Sequence, residues 1–318
     1  MAEFDIKKAE ELEQKYDTAL QTRQLGPWLL QFSIIFALLF ALYHYVTAGI
    51  GVPVDYWHMG IHMSGVILLV FISFPMFKNS KEMDLSPNAW WRYANVPIWD
   101  WTLIVIGISA SLYIGITWYE INFTLFGVNY RMPDQVIRQG NPYTIDVVFG
   151  TSLIIVLLEA VRRTLGIIVP IIIIIFTLFA VFGIYMPIDI LKHPGINWSQ
   201  YINNMYFPAE GIFGVTLWIV STVVFHFVLF GVLAQRMGLG QFFVDMATVI
   251  AGRYTGGLAK VSVVSSAFFG TISGSSIANT VSTGSLTIPN MKKMGYPGHL
   301  AGGVEAAASA GGQITPPI

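Results

Sequence analysis

An all-α polytopic membrane protein is the fold class this sequence predicts, on three observations. Of its 318 residues, 54% are hydrophobic and only 11% charged, where soluble domains carry roughly 25% charged residues. Six apolar stretches each approach the ~20 residues that a helix rising about 1.5 Å per residue needs to cross a bilayer core. The third observation is the segment Gly270–Pro289, crowded with Gly, Ser and Thr yet flanked by apolar sequence. Mean hydropathy is +0.63, so the shortage of charge is a property of the whole chain.

Residues 1–27 read as a polar arm. Glu3, Asp5, Glu10, Glu11, Glu13 and Asp17 mix with Lys7, Lys8 and Lys15, whereas a signal peptide runs from a basic start directly into an apolar core. Gly26-Pro27 ends the arm. Spans are predicted near Trp28–Thr47, Trp57–Phe77, Ile98–Trp118, Tyr143–Val161, Ile167–Met186 and Gly211–Ala234. An amphipathic piece follows near Met237–Arg253, then a broken hairpin over about 257–290, then a Gly/Ala-rich segment, Gly298–Ile318.

Lys and Arg distribution orients these spans. Lys7, Lys8, Lys15 and Arg23 precede the first; Lys78, Lys81 and Arg92 follow the second; Arg162 and Arg163 follow the fourth; Arg236 follows the sixth. A cytoplasmic N-terminus satisfies them all, and the exception is Tyr119–Pro142, placed outside despite Arg131 and Arg138. Arg253 and Lys260 before the hairpin, with Lys292 and Lys293 after it, put both hairpin ends inside. The hairpin is therefore expected to be re-entrant from the cytoplasm. The change of composition at Arg162–Gly166 divides a four-helix module, 28–163, from a second module, 164–318.

Net charge is −1 and there are no cysteines. The first gives no sign of nucleic-acid binding, and the second excludes disulfides and thiolate metal sites. Nine Trp and fourteen Tyr suit aromatic belts against membrane lipids. No Ser-His-Asp set, phosphate loop or HExxH motif offers enzymatic chemistry. His44, His58 and His62 fall on one side of the membrane, where three imidazoles can bind zinc, but interfacial histidines are the reading favoured here.

Inside a bilayer every backbone N–H and C=O needs a partner, so an unwound Gly/Ser break survives only where protein buries it or where it lines a cavity. Such breaks form ion and substrate sites in secondary transporters, which points the hairpin to transport. The alternative is close helix packing through small residues, expected of Gly302, Ala306 and Ala310.

Further motifs sharpen this. Glu210-Gly211-Ile212-Phe213-Gly214, Gly256-Gly257-Leu258-Ala259-Lys260-Val261, the hairpin itself, Met291-Lys292-Lys293-Met294-Gly295-Tyr296 and Val304-Glu305-Ala306-Ala307-Ala308-Ser309-Ala310-Gly311-Gly312-Gln313-Ile314-Thr315-Pro316-Pro317 closely resemble the fused permease of TRAP (tripartite ATP-independent periplasmic) transporters of the TAXI type. The resemblance covers nearly the whole chain after the arm. Leu158–Gly166 resembles that family's join between small and large modules. It implies a sodium-coupled importer of the bacterial inner membrane, with sodium as coupling ion and no other cofactor. It also implies an elevator mechanism and a periplasmic binding protein that delivers an organic anion or amino acid. Members of the family continue into a second, inverted half, so the chain is expected to be the N-terminal part of a permease, not transporting alone.

Sodium is a hard cation that favours oxygen ligands. Ser273-Gly274-Ser275-Ser276 offers hydroxyls and loose backbone at one break, Asn279 an amide oxygen one turn on. Gly311–Pro317 offers a second break, where Pro316 and Pro317 free carbonyls one turn earlier. The two breaks are expected to meet, with sodium held by Ser273, Ser275, Asn279, Gly312 and Thr315. Gly274, Ser276 and Gln313 are expected to meet a substrate carboxylate at the helix start. Asp100, Asp146 and Glu159 lie near span ends and read as anchors, Glu159 within helical reach of Arg162 and Arg163. Glu305, between the breaks, is as fit to tune the site electrostatically as to serve structure. Two other readings remain, a non-transporting membrane scaffold subunit and a hairpin-bearing carrier that works without a binding protein.

Overall fold

The computed structural model describes residues 22–23, 25–76, 92–93, 95–125, 128–207, 211–273 and 276–314. Residues 1–21 and 24 of the polar arm lie outside the described residues, as do Lys78, Lys81, Gly274, Ser275, Thr315, Pro316 and Pro317. The protein is mainly helical, with six helices long and apolar enough to cross a membrane, at Pro27–Ile50, Asp55–Ser73, Ile98–Ile116, Thr144–Leu165, Ile168–Tyr185 and Val215–Ala234. All six overlap the stretches expected from sequence. On the fifth, Ile171 to Ile175 are all exposed. A soluble protein rarely presents so long an apolar face to water, whereas lipid is the solvent such a face suits. The chain is a multi-pass membrane protein.

The chain packs as two compact units divided between Thr222 and Val223. In the first, α1 (Pro27–Ile50), α2 (Asp55–Ser73), α3 (Ile98–Ile116) and α5 (Thr144–Leu165) supply most of the core, and a short α4 (Gln135–Arg138) lies between the last two. α3 packs closely on α2 because Gly60 lets the Ser111 carbonyl in; a Cβ there would sit 2.7 Å from that oxygen. α6 (Ile168–Phe182) and α7 (Trp198–Tyr206) lie against α5, and the Tyr206 hydroxyl donates to the Ala110 carbonyl at 2.6 Å. The packing boundary falls later in the chain than the compositional change at Arg162–Gly166, because α5 runs unbroken through both arginines and α6 and α7 fold back on it.

Two ionic clusters occupy opposite ends of the antiparallel α3–α5 pair. At one end Asp100 accepts from Arg23 at 2.6 Å and from Arg163 at 2.7 Å, while Glu159 accepts from Arg162 and Arg163, both at 2.7 Å. At the other end Asp146 pairs with Arg138 and accepts from the Tyr113 hydroxyl at 2.6 Å and the Tyr143 N–H at 2.8 Å. Thirteen residues part Asp100 from Tyr113 on α3 and seventeen part Asp146 from Arg163 on α5, so at about 1.5 Å each the clusters lie about 20–26 Å apart along the helices. Such buried charges hold only in pairs. Within Tyr119–Pro142, Arg138 pairs with Asp146, and Arg131 with Glu120 at 2.7 Å.

Tyr119–Pro142 is not the plain loop its sequence indicated. Within it β3 (Ile121–Leu125) pairs antiparallel with β4 (Val128–Met132), Ile121 opposite Met132, while a separate pair, β1 (Arg92–Tyr93) with β2 (Val96–Pro97), precedes α3. The histidines are also corrected. His44, His58 and His62 are buried between α1 and α2, not interfacial. His44 Nε2 meets His62 Nδ1 at 2.9 Å, and the Tyr43 hydroxyl meets His58 Nδ1 at 3.0 Å. Among the described residues no group of three or more His, Cys, Asp or Glu is placed to hold a metal.

The sixth apolar helix is irregular. α8 (Val215–Ile219) passes into a π-helical stretch, Val220–Val224, before α9 (Phe225–Arg236). Ser221 and Thr222 both donate their hydroxyls to the Trp218 carbonyl, at 3.1 and 2.6 Å. This competes with the backbone ladder there. The division between units falls at this stretch.

Candidate functional site

The second unit contains α9, α10 (Leu239–Ala251), α11 (Gly257–Ser273), α12 (Ser276–Lys293) and α13 (Gly298–Ala310), which ends in a 3-10 turn, Gly311–Gln313. α11 and α12 cover the sequence expected to form the two arms of the hairpin, and Gly274 and Ser275, between them, lie outside the described residues. α12 runs through Pro289 to Lys293, past the hairpin end that the proline marked in sequence. Proline removes one hydrogen bond yet is tolerated when the rest of the helix is packed.

Among the described residues, Asn279 and Ser276 on α12 lie against Gly312 and Gln313. Asn279 is fully buried in the first turns of α12, and its amide nitrogen donates to the Ser266 carbonyl on α11 at 3.0 Å. That bond fixes which end of the amide is nitrogen, since a carbonyl accepts and cannot donate. Gly312 packs against the same amide. A Cβ on Gly312 would stand 2.8 Å from Asn279 Nδ2 and 3.3 Å from Gly270 Cα. Gln313 reaches across to donate to the Ser276 hydroxyl at 3.1 Å. Thus Asn279, Gly312, Ser276 and Gln313 come together at one junction. For Ser273 only the helical backbone is described, and Gly274, Ser275 and Thr315 lie outside the described residues, so their expected roles have no geometry beside them.

Beneath this junction lies a cluster that sequence reasoning largely missed. Glu305 on α13 is fully buried, and its carboxylate faces five hydroxyls. Ser262 and Thr287 donate to Oε2, both at 2.5 Å, and Thr283 meets Oε1 at 2.5 Å. Ser266 and Ser309 donate to Oε1, each at 3.2 Å. All five are at most 2% exposed. Gly284 admits α13 at this level, since a Cβ there would fall 2.9 Å from Glu305 Cγ. The signal was present in the sequence as three i,i+4 pairs, Ser262/Ser266, Thr283/Thr287 and Glu305/Ser309, each placing two oxygens on one helix face. The packed face of α13 is thus Ala301, Glu305 and Ser309. The expectation for Gly302, Ala306 and Ala310 is corrected: a Cβ added at Gly302 would meet no neighbouring atom within 4 Å, and Ala306 and Ala310 are exposed.

The family follows from comparison with known proteins. Residues 152–318, more than half of the chain, match the model of the DctM component of the tripartite ATP-independent periplasmic transporter. The chain belongs to the DctM family. This DctM-family chain is similar to the C4-dicarboxylate TRAP transporter large permease protein of Rhodobacter capsulatus, 34% identical over 91 residues, 29% of this chain and 21% of that protein. It is similar also to the sialic acid TRAP transporter permease protein of Haemophilus influenzae, 33% identical over 91 residues, 29% of this chain and 15% of that protein. The 2,3-diketo-L-gulonate TRAP transporter large permease protein of Escherichia coli is 33% identical over 91 residues, 29% of this chain and 21% of that one. The matched stretch therefore spans only about a fifth of the length of these relatives. No solved structure matches the chain. The matched family is described as a component of a periplasmic transporter, and six helices of this chain are long and apolar enough to cross a membrane.

Proposed function

We propose that this chain is the N-terminal part of a TRAP permease of the TAXI type, a sodium-coupled importer of organic anions or amino acids. The observation that carries the proposal is the junction of two interrupted helices at Asn279 and Gly312. At that point Asn279 Oδ1 keeps accepting capacity. Its neighbour Thr283, 3.3 Å away, has one hydroxyl hydrogen and a nearer, charged acceptor in Glu305. An amide oxygen beside loose backbone is a fitting ligand set for a hard monovalent cation. Ser273, Ser275, Gly312 and Thr315 complete the proposed set. Ser276 stands at the start of α12 with Gln313 bonded to it; the backbone N–H groups and helix dipole there favour a carboxylate, and Gly274, just before it in sequence, completes the proposed substrate set.

Several features support the wider reading. The relatives are named for C4-dicarboxylate, sialic acid and 2,3-diketo-L-gulonate, all organic acids. The helices that precede the matched residues, from Pro27 on, fit a small module fused ahead of the large one, with their boundary at 163/164 and the N-terminus in the cytoplasm. Both arms of α11–α12 are under 20 residues and basic at their outer ends, as a re-entrant hairpin requires. A division into two compact units at a π-helical stretch suits an elevator, because such stretches commonly mark functional sites within helices. The partners in this reading are a periplasmic substrate-binding protein and the second half of the permease. Two sodium ions entering with a monoanion carry one net charge inward, worth about 2.3 kcal/mol per 100 mV.

The test is uptake by the full-length permease in proteoliposomes with its binding protein and a panel of labelled organic acids. Ser275→Ala and Asn279→Ala each abolish sodium-driven uptake in this reading. Uptake that survives both substitutions removes the site assignment.

A further inference from the structure

A carboxylate buried at membrane depth is expensive and normally finds a cationic partner. Glu305 is fully buried, and among the described residues no Lys, Arg or His forms an ion pair with it. Its five hydroxyl neighbours donate to it. They saturate it. Two carboxylate oxygens offer about four lone-pair sites, fewer than the hydroxyls that converge on them. The cage thus replaces the hydration shell of an anion without cancelling its charge. Oxygens 2.5 Å apart leave no room between them for an ion, so the balancing charge must sit outside the cage.

The cage opens in one chemical direction. Thr283 Oγ1 touches both Glu305 Oε1, at 2.5 Å, and Asn279 Oδ1, at 3.3 Å. The two acceptor oxygens are therefore no more than about 6 Å apart, close enough for a unit charge to act strongly in a protein interior. We infer that Glu305 is a fixed negative charge that sets the cation affinity of the Asn279–Gly312 junction, without itself ligating the ion. It is a positioning residue that acts through its field. This rests on the proposal that the junction binds a cation, and it adds the residue that selects the sign of the ion.

The test uses the full-length permease in lipid nanodiscs and reads the sodium concentration that half-saturates its thermal stabilisation, with choline holding ionic strength constant. Glu305→Gln keeps length and shape but removes the charge; it raises that concentration about 10- to 100-fold, the effect of one charge at this separation and an effective dielectric constant near 20. Glu305→Asp keeps the charge but withdraws from the hydroxyls, and it stays nearer to wild type than the glutamine variant. A purely structural role gives the opposite order, and that order overturns the inference. Lithium, potassium and a pH series in choline run alongside. If the wild-type protein answers to one of these cations in place of sodium, the sodium assignment falls, while a weakened answer of Glu305→Gln to that same cation still supports Glu305 as the charge that sets affinity. A wild-type protein stabilised by no cation overturns both. Should Glu305→Gln fail to fold, infrared difference spectra of wild type and Glu305→Asp at neutral pH decide. An ionised-carboxylate band from this residue supports the inference, and a protonated-carboxyl band overturns it.

Discussion

Adding one methyl group at Gly312 tests the junction where it is tightest. Alanine there fits the helical backbone, since the residue lies in a 3-10 turn and is not among the glycines with positive φ. Its only cost is space. The new Cβ would stand 2.8 Å from Asn279 Nδ2, and an optimal contact is about 3.5 Å or more, so the amide must retreat by about 0.7 Å. The second neighbour is backbone, Gly270 Cα at 3.3 Å, which cannot turn aside. Overpacking of this kind costs about 1–3 kcal/mol. Displacing the amide from the Ser266 carbonyl, now 3.0 Å away, adds about 1 kcal/mol. Gly312→Ala is therefore expected to lower the thermal midpoint of the full-length protein and to weaken its sodium response together. Gly303→Ala, at an exposed glycine with nothing within 4 Å, is expected to change neither. A Gly312→Ala protein with wild-type midpoint and wild-type sodium response would refute the close approach of the two breaks.

Arg138→Met strands buried Asp146 with the Tyr113 hydroxyl and the Tyr143 N–H as its remaining donors among the described residues; thermal unfolding is expected to show a loss of about 3–5 kcal/mol, largely recovered in the Arg138→Met/Asp146→Leu double variant. Asn197 caps α7 by accepting from the Gln200 N–H at 2.8 Å, so Asn197→Ala costs about 1 kcal/mol in the same assay. At the β3–β4 hairpin, the hydrogen bond from Arg131 holds the Glu120 carboxyl below its ordinary range. The stability it lends is thus present above the ordinary carboxylate range and lost as pH falls through the lowered value. Arg131→Ala is expected to move the Glu120 titration midpoint upward in a carbon-13 NMR titration, and an unmoved midpoint contradicts the pairing.

The six spans were legible because apolar length is a strong signal and the bilayer sets the length. Helix ends were less so: Pro289 looked like a terminus, but α12 continues to Lys293, since packing can carry a helix past one missing bond. The β3–β4 hairpin was hidden in a loop of mixed polarity, where strand pairing depends on a partner a few residues away. At the candidate site, Asn279 and Gly312 were readable from the Gly/Ser and Gly-Gly-Gln breaks, and they do touch. The hydroxyl cage of Glu305 was not. Its five donors come from three helices, and each hydroxyl alone looks like a small residue suited to close packing. Only their i,i+4 pairing distinguishes them, and that becomes meaningful once the helices are known to share a face. His44, His58 and His62 were placed at the interface by composition, while the structure buries them, because imidazoles that bond to one another and to Tyr43 satisfy their polar atoms internally.

The most direct measurement is binding of radioactive sodium to the purified full-length permease, wild type against Asn279→Ala. Saturable sodium binding by the wild type that Asn279→Ala loses is the predicted result. Equal saturable binding by both proteins would contradict the placement of the cation at the junction of the two broken helices.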